Sequence, residues 1–146
     1  REYFEKSGMF ENAVIPGIPE ALETLKNKGY ILITATSKPE RYAKKIMEKF
    51  DLARYFQDIC GADMEETRVR KGDVIRYAME KNGITEASQA VMVGDREHDV
   101  LGAKECGMNC LGVLFGYGSR EELKEAGASQ IAETVEEMEM LLETWV

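Results

Sequence analysis

Cysteine is scarce in this 146-residue sequence: Cys60, Cys106 and Cys110 form an odd set with no C-x-x-C pair. That excludes a disulfide framework and points to free thiols in a reducing, cytoplasmic setting. A zinc site built from His98, Cys106 and Cys110 matches no standard ligand spacing, and their apolar neighbours favour buried thiols. Long apolar runs are also lacking. No stretch reaches the ~20 residues of a membrane span, and no apolar segment near the start resembles a secretion signal. Positive charge is in deficit, with a net charge of -8. Nucleic acids and anionic membranes both require clustered Lys and Arg, so neither is an expected partner. Low-complexity tracts and long linkers are absent as well.

What is present describes one domain. A chain this long can bury about two-thirds of its unfolded surface. Apolar residues make up 44% and charged residues 32%, the balance of an ordinary globular protein. Helical and strand patterns alternate. Pro19 opens a helix with Leu22 and Leu25 inward, ending at Gly29; residues 30–35 form a continuous apolar run and hence a buried strand. Ser37-Lys-Pro-Glu40 reads as a capping box for a helix to Phe50, with Tyr42, Ala43, Ile46 and Met47 available to the core. A short strand is expected near 58–61 and a helix over 71–81, stopped by Asn82-Gly83. Residues 90–93 form a strand broken at Gly94, and a helix runs from Asp99 to Cys106. Residues 109–115 and 129–131 are further strands. Ser119-x-x-Glu122 and Thr134-x-x-Glu137 box two helices, the last carrying Val135, Met138, Leu142 and Trp145 on one stripe. This rhythm implies an α/β fold, a Rossmann-like three-layer α/β/α arrangement around a parallel sheet.

Ligands of such sheets bind beyond the carboxyl ends of the strands. Thr36 and Ser37 fall at one such end, before a helix whose free N–H groups suit a phosphate. Lys71 lies at a helix start, where the helix dipole disfavours a cation. Asp95 and Asp99, four apart, can face one side and repel unless something positive lies between them. Singly, Ser37, Asp95 and Asp99 read as caps and Lys71 as a surface lysine. Together they describe a site for a phosphoryl group and a hard cation such as Mg2+, which accepts one direct and one water-mediated carboxylate.

The order Thr36, Lys71, Gly94-Asp-x-x-x-Asp99 resembles the later motifs of haloacid dehalogenase-like phosphatases, in particular the phosphoglycolate phosphatase-like branch. LITATSKPE, RKGDVIRYAMEKNGI, VMVGDREHDVLGAKECGM and LFGYGSREELKEAGA carry the resemblance. It implies a phosphomonoester hydrolase acting on a small phosphorylated metabolite. Thr36, Lys71 and Asp95 would be catalytic, Thr36, Ser37 and Lys71 would bind phosphate, and Asp95 and Asp99 would hold Mg2+. Ser37 departs from the branch, which often has Asn there.

The family's nucleophile is the first Asp of D-x-D-G-[TV] on the central strand. The six aspartates here, at 51, 58, 63, 73, 95 and 99, include no D-x-D. The chain begins at Arg1, and REYFEKSGMFENAVIPGI resembles the end of a helical cap and the return to the core. Residues 1–12 are therefore expected to be a cap remnant and residues 13–146 a core domain lacking its first strand. On this reading the chain is a C-terminal portion, inactive alone. The strands at 31–35 and 90–93 should then flank a vacant centre, to be filled by an N-terminal segment of the same protein, by a second copy in a homodimer, or by closure of the two half-sheets. Three other readings are weighed: a catalytically silent interaction domain, a receiver-like regulatory domain, and a nucleotide-binding domain using Gly116-Tyr-Gly118. Chain order opposes the receiver, since Lys71 precedes the acids, and Glu121 breaks G-x-G-x-x-G.

Overall fold

A computed structural model describes the backbone of residues 3–6, and residues 15–63, 68 and 70–145. Among these residues six parallel strands form one sheet in the order β3-β2-β1-β4-β5-β6. They are β1 (Tyr3–Lys6), β2 (Ile31–Pro39), β3 (Asp58–Ala62), β4 (Ala90–Gly94), β5 (Asn109–Val113) and β6 (Gln130–Ala132). The helices are α1 (Ile18–Asn27), α2 (Glu40–Lys49), α3 (Lys71–Lys81), α4 (Glu97–Glu105), α5 (Arg120–Ala126) and α6 (Val135–Glu143).

Strand alternation builds the three layers. Leu32, Val91, Val93, Leu111 and Val113 face α1, α2 and α6 through Leu22, Leu25, Met47, Met138 and Leu142. Ile33, Ala35, Met92 and Cys110 face α3, α4 and α5 through Val74, Ile75, Val100, Ala103 and Leu123. Both sheet faces are therefore buried, which explains why β2 and β4 read as unbroken apolar runs. The α/β/α expectation holds.

The vacant centre does not. β1 lies between β2 and β4 and pairs with both, Glu5 opposite Ile33 on one side and Met92 on the other. Residues 3–6, expected in a cap remnant, are a strand of the sheet. An open slot would leave two rows of backbone donors and acceptors unpaired, at about 1–3 kcal/mol per buried group, and these four residues remove that penalty. The rest of the expected remnant, residues 7–12, lies outside the described residues.

Two further expectations are corrected at the start of α2. The Ser37–Glu40 capping box does not form, because β2 continues to Pro39 and Glu40 Oε1 accepts the Gly61 N–H at 3.2 Å instead. Tyr42 stands on the exposed face of α2, while Ala43 and Met47 enter the core. Ser119 and Thr134 do cap α5 and α6, accepting from Glu122 N–H and Glu137 N–H, each at 3.1 Å. Trp145, just beyond α6, packs half-buried against the core. Cys60, Cys106 and Cys110 are free thiols. Among the described residues no helix is long and apolar enough to cross a membrane.

Candidate functional site

Parallel strands deliver their carboxyl ends to one edge, and four of the five candidate side chains meet there in buried positions: Thr36, Lys71, Asp95 and Asp99. Each arrives by a local device. β2 loses its register with β3 between Ala35 and Pro39, and in that break Thr36 Oγ1 accepts the Lys38 N–H at 3.2 Å. Ser37, in the same break, is exposed. Gly94 ends β4 with no side chain, and a methyl group there would overlap the Asp99 carboxylate. That close approach is what the Gly94-Asp-x-x-x-Asp99 spacing provides.

Lys71 opens α3, and its stem crosses α4 at Gly102, where a methyl group would crowd it. Its ammonium donates to Ala35 O at 3.1 Å and pairs with Asp99 Oδ1 at 2.7 Å. The side chains of the pair are 4% and 1% exposed, so both charges are almost wholly out of water. Such a pair persists only with its remaining hydrogen-bonding capacity satisfied. Asp99 meets that condition, since Oδ2 accepts the N–H groups of Asp95 at 3.1 Å and Arg96 at 3.2 Å. Asp99 thus sits at the third position of α4, where its carboxylate covers the N–H of the N-cap residue Arg96 and of Asp95 before it.

Asp95 is placed differently. It is 4% exposed, and Tyr117 N–H reaches its Oδ2 at 2.8 Å. Burial pushes its carboxyl above the ordinary value of 3.8, the Tyr117 N–H opposes this, and the nearby charge of Asp99 adds to it. Lys71, bound to Asp99, places a positive charge beside the two aspartates and eases the repulsion between them. Asp95 fits a hard cation: it is a buried, acceptor-rich carboxylate that meets few donors among the described residues. Asp99 does not fit as a direct ligand, because Lys71 and two N–H groups occupy its oxygens. Among the described residues no group of three His, Cys, Asp or Glu side chains could hold a metal by itself.

An open cavity of about 350 Å³ adjoins Lys71, lined by Ser37, Arg70, His98, Leu101 and Glu105. On the far side of α4, Glu122 Oε2 accepts from Arg96 Nε at 2.8 Å and from the Glu97 N–H at 2.7 Å. This fixes the Arg96 end of the Asp95-Arg96 turn to α5.

A match to the family described as haloacid dehalogenase-like hydrolase covers residues 2–113. The chain belongs to that family. A 5'-nucleotidase of Pseudomonas aeruginosa is 43% identical over 124 residues, covering 85% of this chain and 56% of that protein. A phosphoglycolate phosphatase of Vibrio parahaemolyticus is 28% identical over 137 residues, covering 94% and 60%. The crystal structure of a predicted phosphatase from Clostridium acetobutylicum superposes with a TM-score of 0.88 at 44% identity, over 90% of this chain and 61% of that one. The chain spans little more than half the length of the curated relatives it matches.

Within this haloacid dehalogenase-like frame, the structure gathers Thr36, Lys71, Asp95 and Asp99 and leaves Ser37 at the cavity rim. Two participants escaped the sequence reading. The pattern around Glu122 announces only a capping box, and Tyr117 contributes a backbone N–H, which its side-chain type does not announce. Gly116-Tyr117-Gly118 closes on Asp95 and does not stand free as a phosphate loop.

Proposed function

We propose that the protein to which this chain belongs is a magnesium-dependent phosphomonoesterase of the cytoplasm, acting on a small phosphorylated metabolite. The observation that carries the reading is the buried Lys71 ammonium, held beside Thr36 by Ala35 O and Asp99 with Asp95 at the same edge. A cation kept out of water by the fold attracts an anionic group far more strongly than an exposed one. Thr36 Oγ1 and the backbone N–H groups around Ser37 are the donors nearest the end of β2 for phosphoryl oxygens. Asp95 would hold Mg2+, with Asp99 acting behind it by orienting Lys71 and the Asp95 turn. When bound, Mg2+ supplies charge neutralisation and Lewis-acid polarisation at a phosphoryl oxygen. The covalent step needs a carboxylate nucleophile, which by the family resemblance belongs to a D-x-D-G-[TV] motif that this chain lacks.

That lack favours one competing reading, a catalytically silent domain that binds phosphate and magnesium. Phosphate release from small phosphomonoesters separates the two. The longer protein, including an upstream D-x-D-G-[TV], should hydrolyse them in Mg2+, while residues 1–146 alone should not. Asp95→Asn in the longer protein should lower kcat by ~10²-fold or more, the scale for loss of one group acting on developing charge. A longer protein without turnover on any small phosphomonoester would leave the silent domain as the better account.

A further inference from the structure

The segment after β5 contacts Asp95 from two sides. Tyr117 N–H donates to Asp95 Oδ2 at 2.8 Å. A methyl group on Gly116 would overlap the Asp95 side chain, and one on Gly118 would overlap the Asp95 carbonyl oxygen. Both positions must lack a side chain for the loop to lie where it does. Tyr117 between them turns its ring outward, 66% exposed, so only its backbone faces the carboxylate. The register explains how the loop arrives: Gly94 of β4 pairs with Gly112 of β5, so the chain leaving β5 passes beside Asp95.

Resting on the assignment of Asp95 to the cation, we propose that Gly116-Tyr117-Gly118 is the positioning element that sets the Asp95 carboxylate for Mg2+, acting through backbone contact alone. Asp99 is immobilised by an ammonium and two N–H groups, whereas Asp95 receives, besides its own N–H, a single N–H from elsewhere in the described chain. One donor from outside the residue fixes the direction of a carboxylate and still leaves some of its roughly four acceptor sites open. More donors would satisfy the group and compete with a cation; none would leave it free to rotate. The same contact argues against the loop as an anion cradle, since its N–H already points at a carboxylate.

Two readouts on the 146-residue chain test this. In metal-free protein, hydrogen exchange at the Tyr117 amide should be slowed, and Asp95→Ala should accelerate it tenfold or more. In a calorimetric Mg2+ titration, Gly116→Ala should weaken binding tenfold or more while the circular dichroism spectrum is retained. In an Asp95→Asn background Gly116→Ala should have no further effect, the non-additivity of groups acting through one another. Should Gly116→Ala fail to fold, Tyr117→Pro, which removes the N–H, should bind Mg2+ at least tenfold more weakly than Tyr117→Ala, which keeps it. A Tyr117 amide whose exchange ignores Asp95 overturns the clamp, as does a Gly116→Ala protein that binds like its parent. A parent with no Mg2+ response, its Tyr117 amide still protected by Asp95, overturns the assignment of Asp95 to the cation.

Discussion

Asp58 and Asp95 occupy opposite ends of the sheet and receive opposite treatment. Asp58 begins β3, and donors converge on its half-buried carboxylate: Lys81 Nζ at 3.1 Å, Asn82 Nδ2 and the Ile59 N–H at 3.0 Å each, and Cys60 Sγ at 3.4 Å. Burial alone would raise its pKa, but Asn82, Lys81 and Cys60 outweigh it and hold the group below 3.8. Asp95 follows β4, is more deeply buried, and among the described residues receives only the Tyr117 N–H besides its own, so burial dominates and its pKa moves the other way. Among the described residues, Asp58 at the amino edge is satisfied by side chains around it, whereas Asp95 at the carboxyl edge is met by backbone N–H groups alone. A buried carboxylate left short of donors costs stability unless a partner arrives from outside, which is how perturbed groups come to mark functional sites.

Perturbing the two edges should expose this difference. The largest effect falls on the pair that supports Asp95. Lys71→Ala strands the Asp99 charge in a dry site and should destabilise the chain by about 3–5 kcal/mol in urea unfolding. A Lys71→Met, Asp99→Leu double variant, which removes both charges, should recover most of the loss. At the amino edge, Asp58→Ala should cost about 1 kcal/mol at neutral pH, a modest figure because Lys81 is solvent-screened. The folded pKa of Asp58 is depressed, so its contribution is present above 3.8 and is lost as pH falls through the folded value. The gap between parent and variant should therefore close in acid. The smallest effect has the opposite sign. The folded pKa of Asp95 is raised, so its favourable contribution is complete below 3.8 and is lost as pH rises through the folded value. Metal-free Asp95→Asn should then melt slightly higher than the parent at neutral pH, with the difference vanishing in acid.

Much of the fold was legible because its signals are local. Continuous apolar runs gave β2, β4 and β5, caps gave α5 and α6, and the spacing of Lys71 and Gly94-Asp-x-x-x-Asp99 gave the site edge. The failures have tertiary causes. Tyr3–Lys6 mixes aromatic and charged residues and shows no strand period, yet two flanking strands template it as the central strand. Glu40 looked like a capping partner for Ser37, but Gly61 N–H and Arg68, 3.6 Å from Glu40 Oε1, draw it elsewhere. Asp95 and Asp99 look equivalent in sequence. Only the placement of Lys71 and of the chain after β5 separates the satisfied carboxylate from the available one.

That separation is the central claim, and a Mg2+ titration of the chain followed by amide chemical shifts tests it most directly. Parent protein should respond around residues 94–99 and 116–118, weakly, since one carboxylate is its main anchor. The Asp95→Asn variant should lose the response altogether. A response in Asp95→Asn equal to that of the parent would contradict the account.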